Sequence, residues 1–239
     1  MRRTALVTGA DRGLGLALCA RLLHENWFVA AGQYMPEWTE LQKLQSQYPD
    51  RLLVVPLDVS SIESVEKAKQ QVSLFADSID LIINNAALQA MEREKGIKES
   101  QNYGEMMDLY NVNSLGPLRI IEKFLPLATK SEMKRFCFVS SEAGSIEASR
   151  RKNWFGYCMS KSALNMAVKN LFNNLRQEEF TFRLYHPGWI QSYMHGELCV
   201  EARFSPEEAA QMALKYFLNP LEDENILELR DYGGNKWPW

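Results

Sequence analysis

Tyr157 and Lys161 stand four residues apart in a stretch, Trp154 to about Arg176, whose apolar residues Leu164, Ala167, Val168, Leu171 and Leu175 recur with helical spacing. Positions i and i+4 share one face of a helix, so the phenol and the ammonium point to the same place. A cation beside a phenol favours the phenolate and draws down a pKa that is otherwise near ~10. A tyrosine tuned in this way exchanges a proton with a carbonyl or an alcohol near neutral pH. The bland alternative is a solvated pair on a helix surface, since Y-x-x-x-K is common by chance. The weight therefore falls on what the rest of the chain brings to this pair.

A second chemistry-bearing stretch lies near the start. Thr4 to Thr8 reads as a short buried strand and runs directly into Gly9-Ala10-Asp11-Arg12-Gly13-Leu14-Gly15. A helical segment follows from Leu16 to Glu25, with Leu18, Cys19, Leu22 and Leu23 as its apolar face. Strand, glycine-rich turn and helix in that order aim backbone N–H groups and a helix N-terminus at a phosphate. Gly9 permits the tight turn, and Gly13 and Gly15 let backbone and ligand approach closely. This is a dinucleotide site in context, against the alternative of an ordinary strand–helix turn. The second strand, Trp27 to Ala31, ends Gly32-Gln33-Tyr34 without the acid that holds a ribose 2′-hydroxyl in NAD-selective folds. Arg12 is suited to a 2′-phosphate instead, so NADP(H) is favoured over NAD(H). Arg12 as a plain solvated loop cation is the alternative.

The intervening elements alternate. A polar helix is expected from Pro36 to Tyr48, then a strand from Leu52 to Leu57 ending at Asp58. Ser60 or Ser61 caps a helix that runs to about Phe75. A fourth strand, Ile79 to Ile83, ends in Asn84-Asn85-Ala86-Ala87, where small and amide side chains suit a ligand crossing the sheet edge. One long helix is expected from Tyr103 to Leu127, with Asn113 in its middle. A fifth strand, Arg135 to Val139, ends Ser140-Ser141-Glu142-Ala143-Gly144, and Ser149 to Asn153 reads as a solvated basic loop. After the tyrosine helix come a strand from Phe180 to Tyr185, a loop with large side chains from Trp189 to Phe204 that reads as a substrate lid, and a well-capped helix from Ser205-Pro206 to Leu218. A last strand is expected over Asn225 to Leu229, followed by a tail. Alternation of this kind predicts an α/β class chain, a single-domain doubly wound parallel sheet of about seven strands with helices on both faces.

Composition narrows the function further. The 239 residues, 46% hydrophobic, suffice for one large core over residues 1–239. A net charge of −3 gives no field for nucleic acid, and no apolar run reaches the ~18 residues of a membrane span. Asp11 and Arg12 interrupt the early apolar run before a signal-peptide core is complete. Cys19, Cys137, Cys158 and Cys199 are scattered without metal-ligand spacing, which fits reduced thiols in a cytoplasmic protein. His24, His186 and His195 lack partners for a metal site, so no metal is expected, although His195 in the lid is a candidate substrate contact. Ser141 has no G-x-S-x-G elbow around it, against a hydrolase. Trp237 and Trp239 in the tail are expected to pack on the fold or on a neighbouring subunit.

Taken in order, Thr8-Gly9-Ala10-Asp11-Arg12-Gly13-Leu14-Gly15, Asn84-Asn85-Ala86-Ala87, Asn113-Ser114-Leu115-Gly116, Ser141 with Gly144, Tyr157 with Lys161, and Pro187-Gly188 resemble the short-chain dehydrogenase/reductase family over nearly the whole chain. Asn111 to Pro117, His186-Pro187-Gly188-Trp189 and Gly234 to Trp239 look further like its C-factor-like and sniffer-like carbonyl reductase branch. The resemblance implies that Tyr157 is the acid that protonates a carbonyl oxygen, that Ser141 hydrogen-bonds that oxygen, that Lys161 lowers the Tyr157 pKa and holds the nicotinamide ribose, and that Asn113 positions a relay water. It implies cofactor contacts from the glycine turn (Gly9, Asp11, Arg12, Gly13, Leu14, Gly15), from Gln33, Asp58 and Val59, from Asn85, Ala86 and Ala87, from Tyr157 and Lys161, and from Pro187, Gly188, Ile190 and Ser192. Substrate would meet Ser141, Tyr157, Trp189 and Tyr193. It also implies a homodimer or homotetramer acting on a small carbonyl or alcohol.

Three departures from the family pattern carry consequences. Ala87 replaces a glycine. Gln33 stands where NADP-preferring members often carry arginine. The gap from Ser141 to Tyr157 is a few residues longer than usual, so the intervening loop must bulge, with Ser140 or Ser145 as the serine if Ser141 does not reach. Two other functions compete. A dinucleotide-binding regulatory protein with little turnover would not need the intact Asn113, Ser141, Tyr157 and Lys161 set. A sugar-nucleotide epimerase would carry a longer chain and a TGxxGxxG turn.

Overall fold

The computed structural model describes residues 3–194 and 196–239. Seven strands form a parallel sheet, β1 (Thr4–Val7), β2 (Phe28–Gln33), β3 (Leu52–Pro56), β4 (Leu81–Asn84), β5 (Arg135–Val139), β6 (Thr181–His186) and β7 (Leu229–Asp231), and an antiparallel eighth, β8 (Lys236–Trp237), closes one edge. The order is β3-β2-β1-β4-β5-β6-β7-β8. Strand order reverses between β1 and β4, and open α/β sheets bind ligands at the carboxyl ends beside such a switch point. The chain is thus the α/β doubly wound fold that the alternation predicts.

The strands are apolar on both faces because helices cover both faces. Leu6, Ala30, Ile82, Phe136, Phe138 and Leu184 point into one core, shared with α3 (Ile62–Phe75), α5 (Gly116–Ala128) and α6 (Phe155–Leu175). Ala5, Val7, Val29, Ala31, Leu81, Ile83, Cys137, Val139 and Tyr185 point into the other, shared with α1 (Gly13–His24), α2 (Glu40–Gln47) and α7 (Pro206–Leu218). The alternation of the two sets along each strand is the two-residue period of a pleated strand.

Helix starts follow local chemistry. Ser61 caps α3 by accepting from the Ser64 N–H, Asn102 caps α4 (Tyr103–Tyr110) by accepting from Glu105, and Ser205 with Glu208 forms a capping box on α7. α1 has neither a side-chain cap nor an acid in its first turn. The N–H groups at its N-terminus keep their capacity for an anion.

To the expected seven parallel strands the tail adds a short antiparallel eighth, and three other expectations need correction. Asp231 accepts from the Gly233 and Asn235 N–H groups, the Asn235 amide and the Trp237 indole, folding the chain back as β8. The strand expected over Asn225 to Leu229 begins only at Leu229, because the Glu224 carboxylate is drawn to the buried Arg183 at 2.6 Å and Asn225 closes a turn on Asp223. Helix α2 begins at Glu40 rather than Pro36, because Asp11 and Gln33 hold residues 34–38 in a loop. The single long helix after Tyr103 is broken by a π turn over Asn111–Leu115.

Among the described residues, no helix is long and apolar enough to cross a membrane. No three His, Cys, Asp or Glu side chains among them gather as a metal site. Residue His195, considered for substrate contact, lies outside the described residues.

Candidate active site

The site is built where the ends of β1, β4, β5 and β6 meet α6. At the first of these ends, Thr8 Oγ1 accepts from the N–H groups of Asn85 and Ala86, each at 3.0 Å. The Asn85 amide donates back to the carbonyls of Thr8 and Gly9, each at 3.0 Å. The two strand ends flanking the switch point are therefore laced together. Gly9 has a φ of +61°, and a Cβ there would lie 2.8 Å from Ala86 Cα. A Cβ on Gly15 would lie 2.1 Å from the Gly9 carbonyl oxygen. The turn is thus a backbone cradle in front of an uncapped helix, and it fits a dinucleotide's pyrophosphate.

The remaining residues expected at a dinucleotide divide by what their side chains touch. Asp11 is buried, and its carboxylate accepts from the Tyr34 and Met35 N–H groups at 2.8 and 2.7 Å, so it braces the loop after β2. The Gln33 amide donates to the Trp38 carbonyl and accepts from Gln42. The Arg12 guanidinium lies over the Trp38 ring at 4.6 Å and the Tyr193 ring at 5.6 Å, and donates to the Tyr193 carbonyl at 3.3 Å. Asp58 accepts from the N–H and hydroxyl of Ser60 through Oδ1, and buried Val59 packs where a Cβ on Gly116 would clash at 2.9 Å. Buried Leu14 belongs to the core beneath the turn, and Ala87 is half-buried beyond Asn85. After Pro187, Gly188 takes a φ of +80° between Tyr232 and Phe204, Ile190 bridges to Phe204, and Ser192 Cβ lies 3.9 Å from the Cβ position of Gly13. The loop after β6 thus returns to the glycine turn.

Tyr193 reaches the loop after β2, where its ring meets that of Trp38 at 4.8 Å with the planes tilted by 60°. Trp189, at the start of the loop after β6, is 56% exposed. Of the side chains expected to meet substrate, Ser141 and Tyr157 face each other, while Tyr193 lies on Trp38.

Asn113 sits within the π turn and is buried. Its amide oxygen accepts from the Leu88 N–H at 2.7 Å, and its nitrogen donates to the Leu88 carbonyl and to Ser160 Oγ at 2.9 and 3.0 Å. Pro117 has no N–H, so the α-helical donor for the Asn113 carbonyl is missing. A π turn of this kind re-aims one helical residue and frequently marks a functional position.

The long gap before Tyr157 is solved by a bulge pinned at both ends. The Glu147 N–H donates to the Trp239 carbonyl at 2.8 Å, and the Trp154 N–H to the Arg93 carbonyl at 2.9 Å. Trp154 turns the chain into α6 from the left-handed region, at a φ of +61°. The Ser141 hydroxyl faces the Tyr157 phenol. Ser140 instead donates to the Asn165 amide at 2.6 Å, and Ser145 accepts from Ala148 and faces the Trp239 carbonyl. Of the three serines, only Ser141 meets the tyrosine.

The electrostatics depart from the simple expectation of a tyrosine acidified by its lysine. Burial pushes the Tyr157 phenol up, and the Glu142 carboxylate pushes it further, against a smaller downward pull from Ser141. Lys161 is 2% exposed, donates to the Val139 carbonyl at 3.0 Å and lies 5.7 Å from the Tyr157 ring centre. Burial lowers its pKa to about 8. Sequence reasoning missed Glu142 and Arg151 altogether. Glu142 accepts from the Ser141 hydroxyl and from Arg151, a residue read as solvated from its basic neighbours. An acid directly after a serine pair was the available signal, but its partner nine positions on follows no helical or strand period.

Comparison with known proteins fits this geometry. The family model described as short chain dehydrogenase matches residues 3–201. An uncharacterized oxidoreductase of Schizosaccharomyces pombe is 33% identical, covering 98% of this chain and 96% of its own. The C-signal protein of Myxococcus xanthus is 33% identical over 67% of this chain and 93% of its own. Among solved structures, the NADPH-bound carbonyl reductase from chicken fatty liver superposes with a TM-score of 0.88 at 30% identity, with both chains fully covered.

The buried lysine makes a stability prediction. Its folded pKa of about 8 lies below the ordinary 10.5, so between those values the unfolded chain holds more protons and stability rises with pH. Chemical denaturation at pH 7.5 and pH 10.5 should show wild type gaining up to about 3 kcal/mol relative to Lys161→Met across that window. Parallel pH curves for the two proteins would contradict a depressed lysine.

Proposed function

The chain belongs to the short-chain dehydrogenase/reductase family of NAD(P)-dependent oxidoreductases, and on that premise we propose that it reduces a small carbonyl compound to an alcohol with NADPH, Tyr157 serving as general acid. The observation that carries this reading is that the ammonium of buried Lys161 lies 5.7 Å from the Tyr157 ring, with Ser141 facing the phenol from the end of β5. The bound nicotinamide supplies the hydride that reduces the carbonyl carbon. As that carbon is reduced, Tyr157 gives its phenolic proton to the oxygen, and Ser141 hydrogen-bonds the same oxygen. Lys161 holds the nicotinamide ribose and favours the phenolate that the step leaves behind. Asn113, through the π turn, positions the water that returns a proton.

For the cofactor, the glycine turn with Gly9, Gly13 and Gly15 would cradle the pyrophosphate, Asp58 and Val59 would flank the adenine, Asn85, Ala86 and Ala87 the central part, and Ile190 and Ser192 the carboxamide. NADP(H) is favoured because β2 ends without an acid and Arg12 stands beside the loop that follows it. The four unpaired cysteines fit a reducing, cytoplasmic setting. A homodimer through α4 and α6 is supported by Met107, Tyr110, Met159 and Met166, large apolar side chains exposed on those two helices. One observation favours a second reading, a dinucleotide-binding signalling protein with little turnover: the C-signal protein is among the relatives.

Three measurements test this reading. Tyr157→Phe should lower kcat on a test aldehyde by about 10²-fold or more while NADPH still binds, because it removes the acid alone. A wild type that consumes no NADPH across a broad carbonyl panel would favour the signalling reading. Arg12→Met should raise KM for NADPH about 10-fold or more, as expected for loss of a charged hydrogen bond, and leave that for NADH little changed. Met107→Glu with Met166→Glu should convert a dimer to monomer in light scattering, and an unchanged mass would remove α4 and α6 as the interface.

A further inference from the structure

The Ser141 hydroxyl proton points to Glu142, and from there it turns to the carbonyl oxygen when substrate enters. A carboxylate only accepts, so in the contact between Ser141 and Glu142 the serine donates. Its oxygen then accepts from the Ala143 N–H at 3.1 Å and faces the Tyr157 phenol. The other Glu142 oxygen accepts from Arg151. The side chains of Glu142 and Arg151 keep only 23% and 29% of their surface. The Arg151 guanidinium also lies 4.8 Å over the Trp154 ring, and that ring meets the Tyr157 ring edge-on at 6.2 Å. The row therefore runs Tyr157, Ser141, Glu142, Arg151, Trp154 and back to Tyr157.

Resting on the reductase reading above, we propose that Glu142 and Arg151 are a charge-balancing pair that positions Ser141 and sets the proton affinity of Tyr157. The long segment before Tyr157 is the element that delivers the arginine. Glu142 holds Ser141 in place but sits beside a phenol whose ionisation would put a second negative charge next to its own. Arg151 offsets that carboxylate. The other charged and titratable groups around the phenol do not duplicate it. Lys161 on the same helix donates to the Val139 carbonyl, and Cys158 is half-buried beside it. His186, from the end of β6, has Nδ1 4.0 Å from Glu142 and also faces Asp231, and burial keeps its pKa low. Glu94 and Arg93, from the loop after β4, engage the Trp154 indole at 3.0 Å and the Trp154 ring at 4.7 Å. Arg151 is thus the charged partner that Glu142 keeps across the working pH range.

The test is a charge-reversal cycle with two readouts. The first is the pH profile of kcat and kcat/KM for reduction of 4-nitrobenzaldehyde by NADPH. The second needs no turnover: the titration of the Tyr157 13Cζ resonance in the NADP+ complex, identified by its loss in Tyr157→Phe. Arg151→Met should move the Tyr157 titration up by about one pH unit or more, and Glu142→Gln should move it down. Adding Glu142→Gln to Arg151→Met should reverse the upward shift, and Arg151→Lys should restore the titration where Arg151→Met does not. A titration unmoved by Arg151→Met, or a shift that Glu142→Gln fails to reverse, overturns the proposal. If no carbonyl is reduced by wild type, the reductase reading falls on the first readout while the second still decides the charge balance.

Discussion

The site depends on how closely α6 lies against the turn that follows β5. A Cβ on Gly144 would stand 2.9 Å from the Lys161 backbone and 2.7 Å from the Asn165 amide, so only a residue without one lets the two elements meet. The Gly144 carbonyl accepts from Ser162 Oγ and Asn165 Nδ2, each at 3.1 Å, and Ser140 donates to Asn165. That seam fixes the middle of α6 and sets its rotation. Tyr157 and Lys161 then face the end of β5, and Ser141 lies one step from the phenol. Buried polar groups are costly unless paired, so a seam this fully paired holds one arrangement of the helix.

Most of this was legible from residue type and spacing. The two-sided apolar strands, the glycine turn and the capped helices are local patterns, and local patterns survive folding. Ser141 with Gly144, and Tyr157 with Lys161, were legible as separate motifs. What was not legible depends on contacts between distant segments. The π turn needs Asn113 bonded to Leu88 and Ser160 at once, which no window around Asn113 displays. The eighth strand needs Asp231 to gather four donors. The pairing of Arg151 with Glu142 needs the bulge to fold back, pinned by the tail and by the loop after β4.

The sign of the tyrosine's shift follows the same division. Spacing alone puts a lysine beside a phenol and suggests acidification. Burial of both groups works the other way, disfavouring the charged form of each. Among the described residues, Lys161 has the Val139 carbonyl as its hydrogen-bond acceptor and no carboxylate against it. A buried lysine without a carboxylate costs stability at neutral pH, a cost that the proposed role beside the phenol would explain. Core packing gives no other reason for a lysine at that depth.

The glycine turn and the loop after β6 are joined by a similar economy. Arg12 leaves the cradle, lies over the adjoining rings of Trp38 and Tyr193 and donates to the Tyr193 carbonyl. One cation therefore links the loop after β2, the cradle and the loop after β6. Gly188, held at positive φ between Tyr232 and Phe204, sets the direction in which that loop leaves β6. Its return beside Gly13 at Ser192 closes the circuit.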